Sequence, residues 1–214
     1  MRISEMKFNF TVPFLCDDAI RPHMQTVFSG EYDLRVNFAG GRRILDLGAN
    51  YGSFSVWATH RWPGSTITAY EPNPKTFESL QKNIAGYPNI TAHNFGVGTP
   101  GFRVLSDGAY NVGECSFHTI LNNPYPTGQH LEVHDPMELP EADIIKLDIE
   151  GCEMEVLEPL VKAGRTFELI MLEWHNEGLR RAVDKLLGDY ALVGSEVQHI
   201  CGRGISKYLR KDLI

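Results

Sequence analysis

The chain has 214 residues, 43% of them hydrophobic and 22% charged, and a formal net charge of −7. These values suit one globular domain with a sizeable core. No apolar run approaches the roughly 18 residues that span a bilayer, and no run of lysine and arginine is long enough to track a phosphate backbone, so a membrane span is excluded and nucleic acid is an unlikely partner.

In chain order, Phe14, Leu15, Ile20, Met24, Val27 and Phe28 stand near helical spacing, which predicts a helix over residues 14–30, interrupted at Pro22. Residues 42–47 predict a first core strand, 53–60 a helix, and 66–70 a second strand stopped by Pro72 and Pro74. A helix over 76–84 turns Phe77, Leu80 and Ile84 to one face, and 89–93 reads as a short strand. Residues 96–135 then break the rhythm with Gly96, Gly98, Gly101, Gly108 and Gly113 between short strand-like pieces. About forty such residues exceed a simple connection, so they are read as an inserted hairpin region over the substrate side, with plain surface decoration as the alternative. A strand over 143–149, a helix over 153–161 disturbed near Pro159, a strand over 167–174 and a helix over 178–187 resume the alternation. Residues 190–197 and 200–209 predict two strands joined tightly, hence antiparallel.

The chemistry concentrates at strand ends. The first strand, with Asp46 near its end, runs into Gly48-Ala49-Asn50-Tyr51-Gly52-Ser53, and Glu71 closes the next strand nineteen residues past Gly52. A glycine turn lets a ligand approach the backbone, with free helix N–H groups facing it. An acid at the next strand end is placed to hold the two hydroxyls of a ribose. Together they predict a nucleoside-containing cofactor at the carboxyl edge of a parallel sheet. A nicotinamide site wants G-x-G-x-x-G, whereas the corresponding positions are Gly48, Asn50 and Ser53. A carboxylate at Asp46 would repel a pyrophosphate but suits the amino group and sulfonium of S-adenosylmethionine. An ordinary strand–turn–helix with packing glycines is the plain alternative.

D-x-G-x-x-x-G followed by a strand-end glutamate resembles the class I methyltransferases. Ile144-Ile145-Lys146-Leu147-Asp148-Ile149-Glu150-Gly151-Cys152-Glu153 resembles the I-K-x-D-x-E-G-x-E signature of the FkbM-type family among them. Phe28-Ser29-Gly30-Glu31-Tyr32 and Met171-Leu172-Glu173-Trp174-His175 are similar to the same family, over about residues 26–188. The resemblance implies an α/β, Rossmann-like fold whose mostly parallel sheet carries one antiparallel strand. It also implies S-adenosylmethionine as methyl donor and a small-molecule hydroxyl, on a sugar or natural product, as acceptor. Residues 1–40 then form an N-terminal helical flank or lid, and 41–214 the cofactor-binding domain. The cofactor site would comprise Asp46, Gly48, Asn50, Gly52 and Ser53 around the methionine part, Glu71 and Pro72 at the ribose, Asn94 and Phe95 at adenine, and Asp148.

On a strand, residues two apart share a face, so Lys146, Asp148 and Glu150 are expected together at the carboxyl end of a central strand. Either Lys146 and Glu150 form a structural ion pair, or Asp148 and Glu150 face donor and acceptor with Lys146 orienting them. Glu173 and His175 are likewise paired, and His175 is the candidate base for the acceptor proton, its tautomer fixed by Glu173. A satisfied surface histidine is the alternative, and His118, His130 and His134 of the insertion are rivals. Asp148 with Glu173, His175 or Asn176 would also suit a divalent ion, but no metal is assigned. An RNA ribose 2′-O-methyltransferase and a non-catalytic cofactor-binding module are the competing functions. Residues 1–8 lack a long apolar core and a small-residue cleavage site, and Cys16, Cys115, Cys152 and Cys201 form no C-x-x-C pair. Reduced thiols and a cytoplasmic location are therefore expected.

Overall fold

The computed structural model of the protein describes residues 2–7, 11–18, 20–34, 36, 38–105, 118–119, 129–198 and 202–214. Arg2–Lys7 (β1) and Thr11–Cys16 (β2) form an antiparallel hairpin, and Arg21–Phe28 (α1) follows. The helix expected from residue 14 thus starts only at Arg21. Val12, Phe14 and Cys16 are buried at the strand period of two, and Pro22 lies in the first turn of α1, where its missing N–H needs no partner.

The domain then alternates as Arg43–Leu47 (β3), Ser53–Arg61 (α2), Thr66–Tyr70 (β4), Pro74–Ile84 (α3) and Ile90–His93 (β5). Next come Gly96–Val97 (β6), Gly101–Leu105 (β7), His118–Thr119 (β8) and Gln129–His134 (β9). The core resumes with Ile144–Leu147 (β10), Glu153–Lys162 (α4), Leu169–Trp174 (β11), Glu177–Leu186 (α5), Tyr190–Gln198 (β12) and Arg203–Arg210 (β13). α4 continues past Pro159 to Lys162.

The main sheet has the order β12-β13-β11-β10-β3-β4-β5. β13 runs antiparallel to both β11 and β12, and the other neighbours are parallel, which gives the single antiparallel strand anticipated from the sequence. From β3 the chain moves outward through β4 and β5, then returns to β10 on the other side. The crevice of an open α/β sheet lies at that reversal, beyond the strand carboxyl ends.

Alternation divides the core into two layers. Ile44, Ile67, Ile90, Ile144 and Leu169 pack with α1, α2, α3 and β2. Leu45, Leu47, Ile145, Leu147, Ile170 and Leu172 pack with α4 and α5. The insertion forms a separate sheet, β6-β9-β7-β8, containing the antiparallel β7–β9 pair expected as a hairpin. Its residues 106–117 and 120–128 lie outside the described residues. Cys16 and Cys152 are buried and not disulfide-bonded, whereas Cys115 and Cys201 fall outside the described residues. Among the described residues no helix is long and apolar enough to cross a membrane.

Candidate active site

The turn after β3 is built from three left-handed residues, Gly48 (φ 73°), Asn50 (φ 51°) and Gly52 (φ 85°). A Cβ on Gly48 would lie 1.8 Å from the Asp148 carbonyl oxygen, and one on Gly52 would lie 2.5 Å from Leu80 Cδ1. Backbone packing therefore demands Gly48, besides any ligand, while Gly52 is required by its left-handed φ. Gly48 and Ala49 N–H groups donate to the Tyr70 carbonyl at 3.0 and 2.9 Å, which ties the turn to the end of β4. Buried Ser53 opens α2 behind it.

Glu71 closes the other side of this cradle. Its carboxylate accepts the Asn50 N–H at 2.9 Å on one oxygen and the Asn73 N–H at 2.9 Å on the other. Burial pushes its carboxyl up to about 7, against the pull of those two N–H donors. Pro72 is buried next to it. The Asn94 amide donates to the Glu71 and Pro72 carbonyls at 2.8 and 3.1 Å, so it holds the loop that bears the acid. Phe95 stacks on His134 at 3.8 Å between centroids and leans on Tyr70. The side-chain oxygen of Asn50 is buried in this region without a hydrogen-bond partner.

Asp46 does not open into the cradle. It is fully buried, accepts the Ser55 hydroxyl at 2.6 Å, and lies 3.2 Å from Lys146 Nζ. That ammonium also donates to the Gly48 carbonyl at 2.8 Å and stands 3.5 Å from Asp148 Oδ2. The direct ligand contact expected of Asp46 is corrected to a support beneath the turn, because its charge is already met by Lys146. Lys146 likewise pairs with two aspartates rather than with Glu150. Burial works against the Lys146 charge, but Asp46 and Asp148 outweigh it and raise its affinity for the proton.

Beyond β10 a second cluster gathers. Asp148 accepts the Tyr32 hydroxyl at 3.3 Å and hydrogen-bonds the Glu173 carboxyl. Burial opposes charge on Asp148, yet Lys146, Glu173 and Tyr32 together hold it below the usual carboxylate range. Burial, and then the Asp148 charge, raise Glu173 far above that range.

His175 sits against the same pair, with Nε2 3.1 Å from Glu150 Oε2 and 3.5 Å from Glu173 Oε2, and Nδ1 3.8 Å from Glu153 Oε1. Neither ring nitrogen is aligned for a hydrogen bond, and the contacts become ion pairs when the ring is protonated. Glu150 at Nε2 raises the imidazole pKa, burial opposes the rise, and Glu153 and Asp148 add to it. The near-neutral base expected at His175 is thus displaced upward by acids that converge on it.

β10 ends at Leu147, and Glu150 has a left-handed backbone (φ 56°), so a turn and not strand alternation brings Glu150 to the cluster. Three members were given no site role in the sequence reading, although Tyr32 and Glu153 stand in its motifs. Tyr32 lies 116 residues before Asp148. Glu153 accepts the Ile149 and Gly151 N–H groups at the mouth of α4. Arg203 precedes Gly204, the register partner of Trp174, and its charge acts on Glu173. Alternation read backward along β13 could have found Arg203.

Of the rival histidines, His134 is engaged by Glu132 at 2.9 Å, Glu138 at 3.2 Å and Phe95. The side chains of His118 and His130 lie outside the described residues. Asn176 caps α5 by accepting the Leu179 N–H. Among the described residues no group of three or more His, Cys, Asp and Glu side chains is disposed to hold a metal ion.

Residues 46–190, or 145 of the 214, match the Methyltransferase FkbM domain. The chain belongs to the FkbM methyltransferase family. It is 26% identical over 160 residues to the hexuronic acid methyltransferase AglP of Haloferax volcanii, a match covering 70% of this chain and 62% of that relative. It is also 22% identical over 202 residues to methyltransferase sdnD of Sordaria araneosa, covering 74% and 76%. The chain thus spans less than two thirds of the first of these. A solved FkbM methyltransferase from Methylobacillus flagellatus superposes with a TM-score of 0.56 at 16% identity, over 81% of this chain and 45% of that one. This likeness shows that the FkbM chain shares the Rossmann-like methyltransferase fold.

Proposed function

We propose that this FkbM family member transfers a methyl group from S-adenosylmethionine to a hydroxyl of a small sugar-type or natural-product acceptor. The observation that carries the reading is the placement of Glu71 and Asp148 on either side of the Gly48–Gly52 turn, at the carboxyl edge of the sheet. In that frame Glu71 accepts the ribose hydroxyls, the backbone of Gly48, Asn50, Gly52 and Ser53 takes the methionine part, and Pro72, Asn94 and Phe95 border adenine. The buried, unpartnered oxygen of Asn50 fits a ligand rich in N–H and O–H donors. Bound there, the cofactor supplies an electrophilic methyl carbon next to sulfur. Asp148, Glu173 and His175 then face the acceptor. The name of the hexuronic acid relative favours a polyhydroxylated small molecule over RNA, and so does the acidic acceptor side.

Calorimetry with S-adenosylhomocysteine is expected to give micromolar binding, about −8 kcal/mol, with NAD silent. Tritium from labelled S-adenosylmethionine should then appear on members of a panel of hexuronides and glycosides and stay off RNA. Binding of NAD in preference to S-adenosylhomocysteine would falsify the assignment.

A further inference from the structure

A non-glycine residue in the left-handed region is strained by about 1–2 kcal/mol unless its surroundings require it. Glu150 is such a residue, at φ 56°, and Gly151 after it is left-handed too, at φ 92°. The conformation folds the Glu150 side chain back over the end of β10, where Oε2 meets His175 Nε2 at 3.1 Å. On the other side of the ring, Glu153 is fully buried, one carboxylate oxygen has no hydrogen-bond partner, and the other faces Nδ1 at 3.8 Å. Asp148 and Glu173 complete the acidic surround from β10 and β11, and the Arg203 charge from β13 acts on Glu173.

We infer that Glu150 is a positioning residue, which clamps His175 as an imidazolium against the Asp148–Glu173 pair, so that Asp148 and not His175 receives the proton leaving the acceptor hydroxyl. The inference rests on the methyl-transfer reading above. An imidazolium has two N–H donors and no lone pair with which to take a proton. Lys146 Nζ, 3.5 Å from Asp148 Oδ2, favours the charge on Asp148, and the raised Glu173 is then the carboxyl that carries a proton. Asp148 is left as the ionised carboxylate between them. As the acceptor oxygen forms its bond to the methyl carbon of the sulfonium donor, the carbon–sulfur bond breaks and its electron pair stays on sulfur. The oxygen's proton passes to Asp148, which becomes neutral. A protonated ether is a far stronger acid than a carboxylic acid, so a carboxylate held below its ordinary range is still basic enough when the proton moves late. The imidazolium meanwhile offsets the negative charge that the carboxylates concentrate there.

The test needs no acceptor. In the full chain with S-adenosylhomocysteine, ¹⁵N NMR of His175 should show a protonated ring at pH 7. Infrared spectra should show a buried protonated carboxyl that disappears in Glu173→Gln and persists in Asp148→Asn. Glu150→Gln should lower the His175 midpoint by about one unit, a tenfold loss of proton affinity. Glu150→Gly should do the same, and it is the safer variant because glycine suits the left-handed backbone. A neutral His175 at pH 7, a midpoint unmoved in both variants, or a protonated Asp148 beside an ionised Glu173 would each overturn the proposal. Failure of S-adenosylhomocysteine to bind wild type would instead remove the methyl-transfer reading, and the same titration in the ligand-free chain would still decide whether Glu150 clamps the ring.

Discussion

Lys146 reaches across from β10 to the Gly48 carbonyl at 2.8 Å, so the ammonium that steadies Asp148 also steadies the turn after β3. One charge supports both halves of the site. Removing it leaves the fully buried Asp46 and most of Asp148 unpaired. Lys146→Met should therefore cost about 3–5 kcal/mol in urea unfolding. Asp46→Asn combined with Lys146→Met should recover much of that loss, because an amide needs no counter-charge. Equal instability of the two variants would show that the ion pair is not the source.

Gly48 and Gly151 are both left-handed but differ in surroundings. A Cβ at Gly48 meets the Asp148 carbonyl at 1.8 Å, whereas one at Gly151 finds nothing within 4 Å. Gly48→Ala should lose about 3 kcal/mol or more, since backbone must separate from backbone. Gly151→Ala should lose only about 1 kcal/mol, the cost of the φ angle. Thermal unfolding of the pair measures the contrast directly.

Glu71 makes the fold sensitive to pH. Its carboxyl lies at about 7 when folded and near 4.5 as a free side chain, so the folded state binds the proton more tightly. The resulting stability is fully present below about pH 4.5 and is lost as pH rises through about 7, amounting to roughly 3 kcal/mol. Glu71→Gln should flatten this slope in unfolding experiments from pH 4 to 8. S-adenosylhomocysteine affinity should move the opposite way and strengthen up to about pH 7, because ribose hydroxyls donate to the ionised form.

Asn94 tests whether loop support matters for the ligand. Its amide ties down the Glu71 and Pro72 carbonyls. Asn94→Ala removes two hydrogen bonds worth about 1 kcal/mol each. Calorimetry should show S-adenosylhomocysteine binding weakened by about tenfold with the far-UV circular dichroism unchanged. Undiminished affinity would place Asn94 outside the cofactor site.

The central strands and the glycine turn were legible because their signals are local: an apolar run, a turn that needs positive φ, an acid at the next strand end. The N-terminal hairpin was not. Leu15 fills the gap in the Val12, Phe14, Cys16 alternation, and β1 offers no apolar pattern to announce its partner. Asp46 was placed on the right strand but given the wrong neighbour, because Lys146 lies 100 residues away and only strand pairing joins them. His175 could be singled out from its strand end, but the acids around it come from a turn and a helix mouth whose geometry depends on Glu150 adopting a glycine-like backbone. Tyr32 and Arg203 come to the site through long-range packing and sheet register.

Strand order has a consequence during synthesis. β3 lies inside the finished sheet, but its second neighbour, β10, begins at Ile144, some 97 residues after Leu47. At roughly 5–20 residues per second a ribosome needs about 5–20 s to cover that stretch. Throughout this interval the apolar edge of β3 has no permanent neighbour and can recruit a strand from another nascent chain. Codon choice and chaperone capture across residues 48–143 should therefore govern how much active protein a cell recovers, even for variants whose finished structures are equally stable.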